Sequence, residues 1–177
     1  MTFEPFNLHP DISAAVAEQG YTSPTPIQEN AIPHILKSID VLGLAQTGTG
    51  KTAAFVLPLL NRLIEGPRRK VRALILAPTR ELAAQIHEAV TSLGRNTRLR
   101  SIAVFGGVSM EPQIRSLSRG VEIIVACPGR LLDHMSRGNI DLSALEILAI
   151  DEADRMFDMG FLPDIRRITK QLPRRRQ

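Results

Sequence analysis

The stretch Ala45-Gln46-Thr47-Gly48-Thr49-Gly50-Lys51-Thr52 decides how this chain is read. It lies between a short apolar run, Asp40-Val41-Leu42-Gly43-Leu44, and a segment of helix-compatible spacing that continues Ala53-Ala54-Phe55-Val56-Leu57. Strand, glycine-rich loop and helix, in that order, are the setting of a phosphate-binding loop. Gly48 and Gly50 let successive backbone N–H groups turn around an anion, and a helix starting near Gly50 adds its positive dipole end. Lys51 can reach β- and γ-phosphates, and the Thr52 hydroxyl suits Mg²⁺. One position departs from the pattern, because Ala45 stands where the first glycine is usual. A glycine turn that merely starts a helix is the competing reading.

Composition sets the frame around that loop. With 177 residues, 44% hydrophobic and 23% charged, the chain has the make-up of one globular domain with a real core rather than a fibrous or disordered segment. Aromatics are only 4%, so Ile, Leu, Val and Ala must build the core. The net charge of +4 comes largely from the runs Pro67-Arg68-Arg69-Lys70 and Pro173-Arg174-Arg175-Arg176. A basic balance is compatible with a polyanionic partner, although charge runs usually mark solvated surface. The single cysteine, Cys127, excludes an internal disulfide framework and fits a reducing compartment. His9, His34, His87 and His134 show no ligand spacing, so no metal site made by the protein alone is expected. No apolar stretch approaches the roughly 18 residues that span a bilayer, and a cytoplasmic protein with no membrane partner is the expectation.

Along the chain, helical and strand patterns alternate. Pro10 to Gln19 reads as a helix stopped by Gly20, and Thr25-Pro26-Ile27-Gln28 opens a second, with Thr25 as N-cap and Pro26 at the first helical position. The run 40–44 predicts a strand before the glycine loop, and residues 72–77, 101–105, 122–126 and 146–150 predict four more. Helices are expected after the loop, after Pro78, from Met110 to Arg119, from Pro128 to Met135, and between Asp154 and Leu172. Roughly five strands, apolar along their whole length and separated by helices, predict an α/β fold with a mostly parallel sheet and helices on both faces.

In such sheets ligands gather at the carboxyl ends of the strands. Five polar or flexible clusters follow the five expected strands, which predicts one functional edge: the phosphate loop, Pro78-Thr79-Arg80-Glu81, Gly106-Gly107, Cys127-Pro128-Gly129-Arg130 and Asp151-Glu152. A carboxylate at a strand end can hold Mg²⁺, commonly through water, while the next carboxylate can orient or deprotonate an attacking water. The alternative is that Asp151 and Glu152 only favour the start of the following helix.

Asp151-Glu152-Ala153-Asp154 spells DEAD. With AQTGTGKT, PTREL, Gly106-Gly107 and Pro128-Gly129-Arg130 in the same order, the whole chain resembles the first RecA-like domain of a DEAD-box ATP-dependent RNA helicase, and bacterial members most closely. The resemblance implies a RecA-like fold over residues 1–177, with 1–28 as the Q-motif region and 29–177 as the ATP-binding core. It implies ATP and Mg²⁺ as cofactors, RNA as partner, and a second RecA-like domain acting with this one.

Residue by residue, the resemblance assigns the base and phosphates to Phe3, Tyr21, Gln28, Ala45, Gln46, Thr47, Gly48, Thr49, Gly50, Lys51 and Thr52. Gln28 would read adenine, since an amide has one donor and one acceptor side. Thr25-x-x-Gln28 is equally a capping box in which Gln28 bonds back to the Thr25 backbone. Phe3 stands at the family's spacing for the aromatic that stacks on the base, with Tyr21 nearby as the alternative. Lys51, Asp151 and Glu152 would be catalytic, with Thr52 and Asp151 holding Mg²⁺ and Asp154 relaying nucleotide state. Pro78, Thr79, Arg80, Gly106, Gly107, Pro128, Gly129 and Arg130 would meet the RNA backbone and read little sequence. A surface or internal salt bridge is the competing role for Arg80 and Arg130.

Two departures follow from the same comparison. Cys127 replaces the usual Thr before Pro-Gly-Arg, which removes an N-cap at a cost of about 1 kcal/mol and replaces a hydroxyl that would meet a phosphate by a weak thiol donor. The family's Ser-Ala-Thr strand, which lies between the strands of the phosphate loop and of the Asp-Glu pair, does not occur before Gln177, and neither does the second domain. A fragment with a gap in its sheet and weak activity alone is therefore expected. A nucleotide-binding module without useful turnover, or a DNA-directed relative of the same superfamily, are the alternatives.

Overall fold

A computed structural model describes residues 2–46 and 48–177. The chain divides into two compact units. One comprises Pro67–His87 and Arg100–Arg176 and contains a parallel sheet of four strands in the order β2-β3-β1-β4: β1 (Ala73–Leu76), β2 (Ser101–Val104), β3 (Ile123–Ala126) and β4 (Ile147–Ile150). Each strand is within a residue or two of its expected run. The central strand β1 pairs with β3 on one side and β4 on the other, with Leu76 opposite both Ala126 and Ile150. Val104 of β2 lies opposite Ala126 in turn, so all four strands end at one level.

The apolar runs are continuous because both faces of β1 and β3 are covered. Leu74, Leu76, Ile124 and Ala126 join Ile102 and Val104 in a cluster with Leu131 and Leu132 of α6 (Pro128–Ser136), Met156 of α7 (Ala153–Asp158), and Ile165 and Ile168 of α8 (Leu162–Thr169). The alternate residues Ala73, Ile75, Ile123 and Val125 are wholly buried as well. That is how a doubly covered parallel sheet differs from one with a wet face. Helix α4 (Arg80–Leu93) begins in this unit, and α5 (Glu111–Ser118) joins β2 to β3.

The other unit comprises Met1–Gly66, Glu88–Leu99 and Gln177. It holds α1 (Pro10–Glu18), α2 (Pro26–Leu36) and α3 (Lys51–Leu63), and its buried residues include Ile12, Ile32, Leu57, Leu60 and Leu93. The strand expected over 40–44 is not formed, which corrects the count of five to four. Leu42 and Leu44 are each 87% exposed. Apolar composition gives a segment the capacity to be buried, but a strand exists only where a neighbour supplies hydrogen bonds. No strand lies in this unit among the described residues, and β4 is an edge strand in its own.

At the amino-terminal edge of the sheet the buried charges are structural. Glu122 is 1% exposed, and its two carboxylate oxygens accept from Arg69 N at 2.5 Å and Arg100 N at 2.8 Å, tying two loops to the start of β3. Arg72, also buried, is paired through Nε with Glu146 Oε1 at 2.5 Å, so the starts of β1 and β4 are joined by charge as well as by the ladder. Glu122→Ala should strand both N–H donors and lower stability by about 3 kcal/mol, with Glu122→Gln, which keeps one acceptor, losing roughly half as much; urea unfolding midpoints measure both.

Candidate functional site

The glycine loop adopts the backbone its sequence requires. Gly48 and Gly50 both have left-handed backbones, with φ of +84° and +90°, and Gly50 is the N-cap of α3. Thr49 Oγ1 donates to Gln46 O at 2.7 Å and closes the turn. Lys51 and Thr52 form the first turn of α3 and are half-buried, while Ala45 precedes the turn. Thr47 lies outside the described residues.

Gln28 is inserted against this loop. It is 1% exposed; its Oε1 accepts from Thr25 N at 3.0 Å and its Nε2 donates to Gly50 O at 3.1 Å. The amide thus makes the capping contact and also reaches the phosphate loop. Thr25 Oγ1 has the position of the reciprocal partner in the capping box but lies buried outside hydrogen-bond geometry. A Cβ on Gly50 would sit 2.5 Å from Gln28 Nε2, so Gly50 is glycine for closeness as well as for φ. Phe3 and Tyr21, the two candidate stacking rings, meet edge to face with centroids 6.2 Å apart.

In the sheet unit, the ladder continues one rung past the strand ends. Ala77 N donates to Ala126 O, Cys127 N to Val104 O and Asp151 N to Leu76 O, at 2.9, 2.9 and 3.0 Å. The four clusters after β1 to β4 therefore share one edge, as expected; the phosphate loop, lacking its strand, is not placed there by pairing. Thr79 Oγ1 caps α4 by accepting from Leu82 N at 3.2 Å, and Pro78 and Pro128 are buried.

The two arginines separate. Arg80 is exposed, with its guanidinium 5.9 Å from the centroid of Phe105, a cation–π distance, and an Nη1 that a Cβ on Gly107 would meet at 3.4 Å. Arg130 is turned inward instead: both Nη atoms donate to Val108 O, at 3.1 and 3.2 Å, and Asp133 lies 3.9 Å from Nε. Gly106 and Gly107 are exposed, with Gly107 left-handed at φ +77°, and Gly129 is exposed at the start of α6.

Asp151 Oδ1 accepts from Glu152 N at 3.0 Å, and Glu152 is left-handed at φ 49° and ψ 49°, rare for a side chain with a Cβ. Glu152 occupies the N-cap of α7 without a side-chain cap bond; its carboxylate pairs with Arg155 at 3.2 Å. Simple helix capping is therefore not what this residue does. Asp154 is exposed in the first turn of α7. Cys127 makes no side-chain cap for α6, and burial, helped by the charge of Glu81, pushes its thiol up to about 11. It is a neutral, half-buried filler at neutral pH rather than a nucleophile.

Sequence reasoning missed Gln113 and His134, which are buried side by side behind the glycine turn. Gln113 Nε2 donates to Phe105 O at 3.1 Å and its Oε1 faces His134 Nε2 at 3.0 Å, while Asn139 Nδ2 lies 3.2 Å from His134 Nδ1. The available signal was a polar residue on the apolar face of each of two amphipathic helices. Among the described residues no group of three or more His, Cys, Asp or Glu converges as a metal centre.

A glycine phosphate loop opening a helix, and a parallel sheet that ends in a strand-terminal carboxylate pair, are the parts of a RecA-like P-loop protein. The DEAD/DEAH box helicase family pattern matches residues 25–177, and the chain belongs to that family. It is 49% identical over 173 residues to the ATP-dependent RNA helicase DeaD of Klebsiella pneumoniae, an alignment covering 97% of this chain and 27% of that protein. It is 47% identical over 182 residues to the ATP-dependent RNA helicase RhlB of Xanthomonas oryzae, covering 99% and 32%. A DEAD box protein from the hyperthermophile Methanococcus jannaschii superposes with a TM-score of 0.93 at 36% identity, over 100% of this chain and 48% of that one. The chain thus spans about a third or less of the two relatives' lengths.

Gly50→Ala and Gly48→Ala carry the same left-handed strain, about 1–2 kcal/mol, but only Gly50 has Gln28 in the way. Gly50→Ala should therefore be the more destabilising, by thermal unfolding, and should also displace Gln28. His134 supplies a pH signature. Burial first, then Arg130, hold its pKa below the ordinary 6.5, against the opposing pull of Asp133. Below about 6.5 the unfolded chain takes up the proton first, so stability should fall as pH falls. Denaturant midpoints at pH 7.5, 6.5 and 5.5 should show that decline, reduced in His134→Gln.

Proposed function

We propose that residues 1–177 act as one functional domain, the nucleotide- and RNA-binding first RecA-like domain of an ATP-dependent RNA helicase, working on RNA together with a second RecA-like domain. The observation that carries this reading is the placement of Asp151-Glu152 at the end of β4, on the same sheet edge as Thr79-Arg80, Gly106-Gly107 and Pro128-Gly129-Arg130. Family membership and the names of the relatives support ATP as the nucleotide and RNA as the polymer.

The roles follow from the residues' chemistry. Gly48, Gly50 and the first N–H groups of α3 receive phosphate oxygens, and Lys51 neutralises the β- and γ-phosphates. Gln28 reads adenine by exchanging one of its internal bonds for the base, with Phe3 or Tyr21 packing beside it. The resemblance assigns Mg²⁺ to Thr52 and Asp151, a hydroxyl and a carboxylate of the hard-oxygen kind this ion takes. Bound there, Mg²⁺ would neutralise charge developing on the phosphates. Glu152 orients the attacking water and accepts its proton on the carboxylate. Asp154 transmits nucleotide state. Arg80 and the glycine turn meet the RNA backbone, and Arg130 acts on that turn from within. A cytoplasmic setting fits the free thiol of Cys127.

A fluorescent ATP analogue should bind the wild-type chain and lose at least about tenfold in affinity with Lys51→Ala, the loss of one charge-assisted contact. Glu152→Gln should leave binding intact and remove the slow residual turnover, measured with and without single-stranded RNA. Equal binding by Lys51→Ala and wild type would reject the assignment.

A further inference from the structure

We propose that Gln113, backed by His134, is a positioning device for RNA: it fixes the Phe105 carbonyl and so sets the shape of the Gly106-Gly107-Val108 turn. This rests on the reading of that sheet edge as RNA-facing and adds to it the residues that shape the edge.

The chain of bonds is directional. Because Gln113 Nε2 donates to Phe105 O, its Oε1 faces His134, and His134 Nε2 must carry the proton that bridges the 3.0 Å between them. His134 Nδ1 is then an acceptor and takes a hydrogen from Asn139 Nδ2 at 3.2 Å. Three side chains thus run from the end of α6 to the carbonyl immediately before the two glycines, with Gln113 and His134 both buried.

The far end of the turn is held from the same helix. Arg130, four residues before His134 on α6, places both Nη atoms on Val108 O. Phe105 O is therefore held from α5, with His134 of α6 behind it, and Val108 O directly from α6. Between those grips, the N–H groups of Gly106, Gly107 and Val108 donate to no acceptor among the described residues. Successive unpaired N–H groups on an exposed turn are donors suited to phosphate oxygens, but only if the turn keeps its shape. Two glycines alone would not keep it.

Two buried polar side chains are a costly way to fill this space. An apolar pair in place of Gln113 and His134 would avoid desolvating two polar side chains. What an apolar pair would not supply is a donor for Phe105 O.

The test uses the 177-residue chain, single-stranded oligouridylate and a fluorescent ATP analogue. Gln113→Met, similar in length and without polar atoms, should weaken RNA binding about fivefold, the worth of one hydrogen bond, leave nucleotide affinity unchanged, and shift the Gly106 and Gly107 amide resonances. His134→Leu should act in the same way. His134→Gln, which keeps a donor toward Gln113 Oε1, should retain most of the RNA affinity, a rescue that a purely structural role would not produce. If Gln113→Met fails to fold, the Leu and Gln variants of His134 decide the matter. Moved glycine amides with unchanged RNA affinity, or unmoved amides in a folded Gln113→Met, would overturn this proposal alone. A wild-type chain that binds no RNA would overturn both it and the reading of the edge.

Discussion

The register of the parallel ladder is the constraint on which the sheet unit depends. Leu76 lies opposite both Ala126 and Ile150, and Val104 opposite Ala126, so four chain segments leave the sheet at one level. A slip of one residue would exchange the two faces of a strand. In β1 and β3 that exchange has no polar face to reveal, so hydrophobicity alone does not hold the alignment. The charges at the opposite edge supply what is missing: Glu122 fixes the start of β3 through two backbone donors, and Arg72 with Glu146 fixes β1 against β4. Polar residues at the amino ends thus set the register, and those at the carboxyl ends use it.

That division explains why similar side chains behave differently. Arg72 is consumed by structure and Arg80 remains at the surface above Phe105. Arg130 is intermediate: it stands in a cluster expected to face RNA, yet its guanidinium is spent on Val108 O, and its influence on a ligand would pass through the glycine turn. Gln28 is likewise occupied at both ends of its amide. Capping and contact with the phosphate loop occur together because an amide has two ends, one for Thr25 N and one for Gly50 O.

Most of the sheet was legible because parallel strands covered on both faces leave unbroken apolar runs, and the run 72–77 became Ala73–Leu76. Helix starts were legible because Pro26 and Pro128 mark first turns. The run 40–44 was misread for a physical reason: its composition resembles that of β1, but pairing is a property of two segments and composition reports only one. Gln113 and His134 were missed because a polar residue on an otherwise apolar helix face tells nothing of its partner. Only the bond between Gln113 of α5 and His134 of α6 shows that each satisfies the other.

Glu152 joins these strands of argument. A left-handed backbone on a residue with a Cβ costs about 1–2 kcal/mol, and its ion pair with the exposed Arg155 returns less than that. The conformation persists because its neighbour does not move: Asp151 N is tied to Leu76 O as an extra rung of the ladder, and Asp151 Oδ1 holds Glu152 N. Strain of this kind survives where the surroundings over-determine the backbone, and it gathers at sites that do chemistry. The same ladder that ends β4 level with its neighbours therefore holds Glu152 in a geometry it would not adopt alone, with its carboxylate carried at the strand end and left free of capping duty.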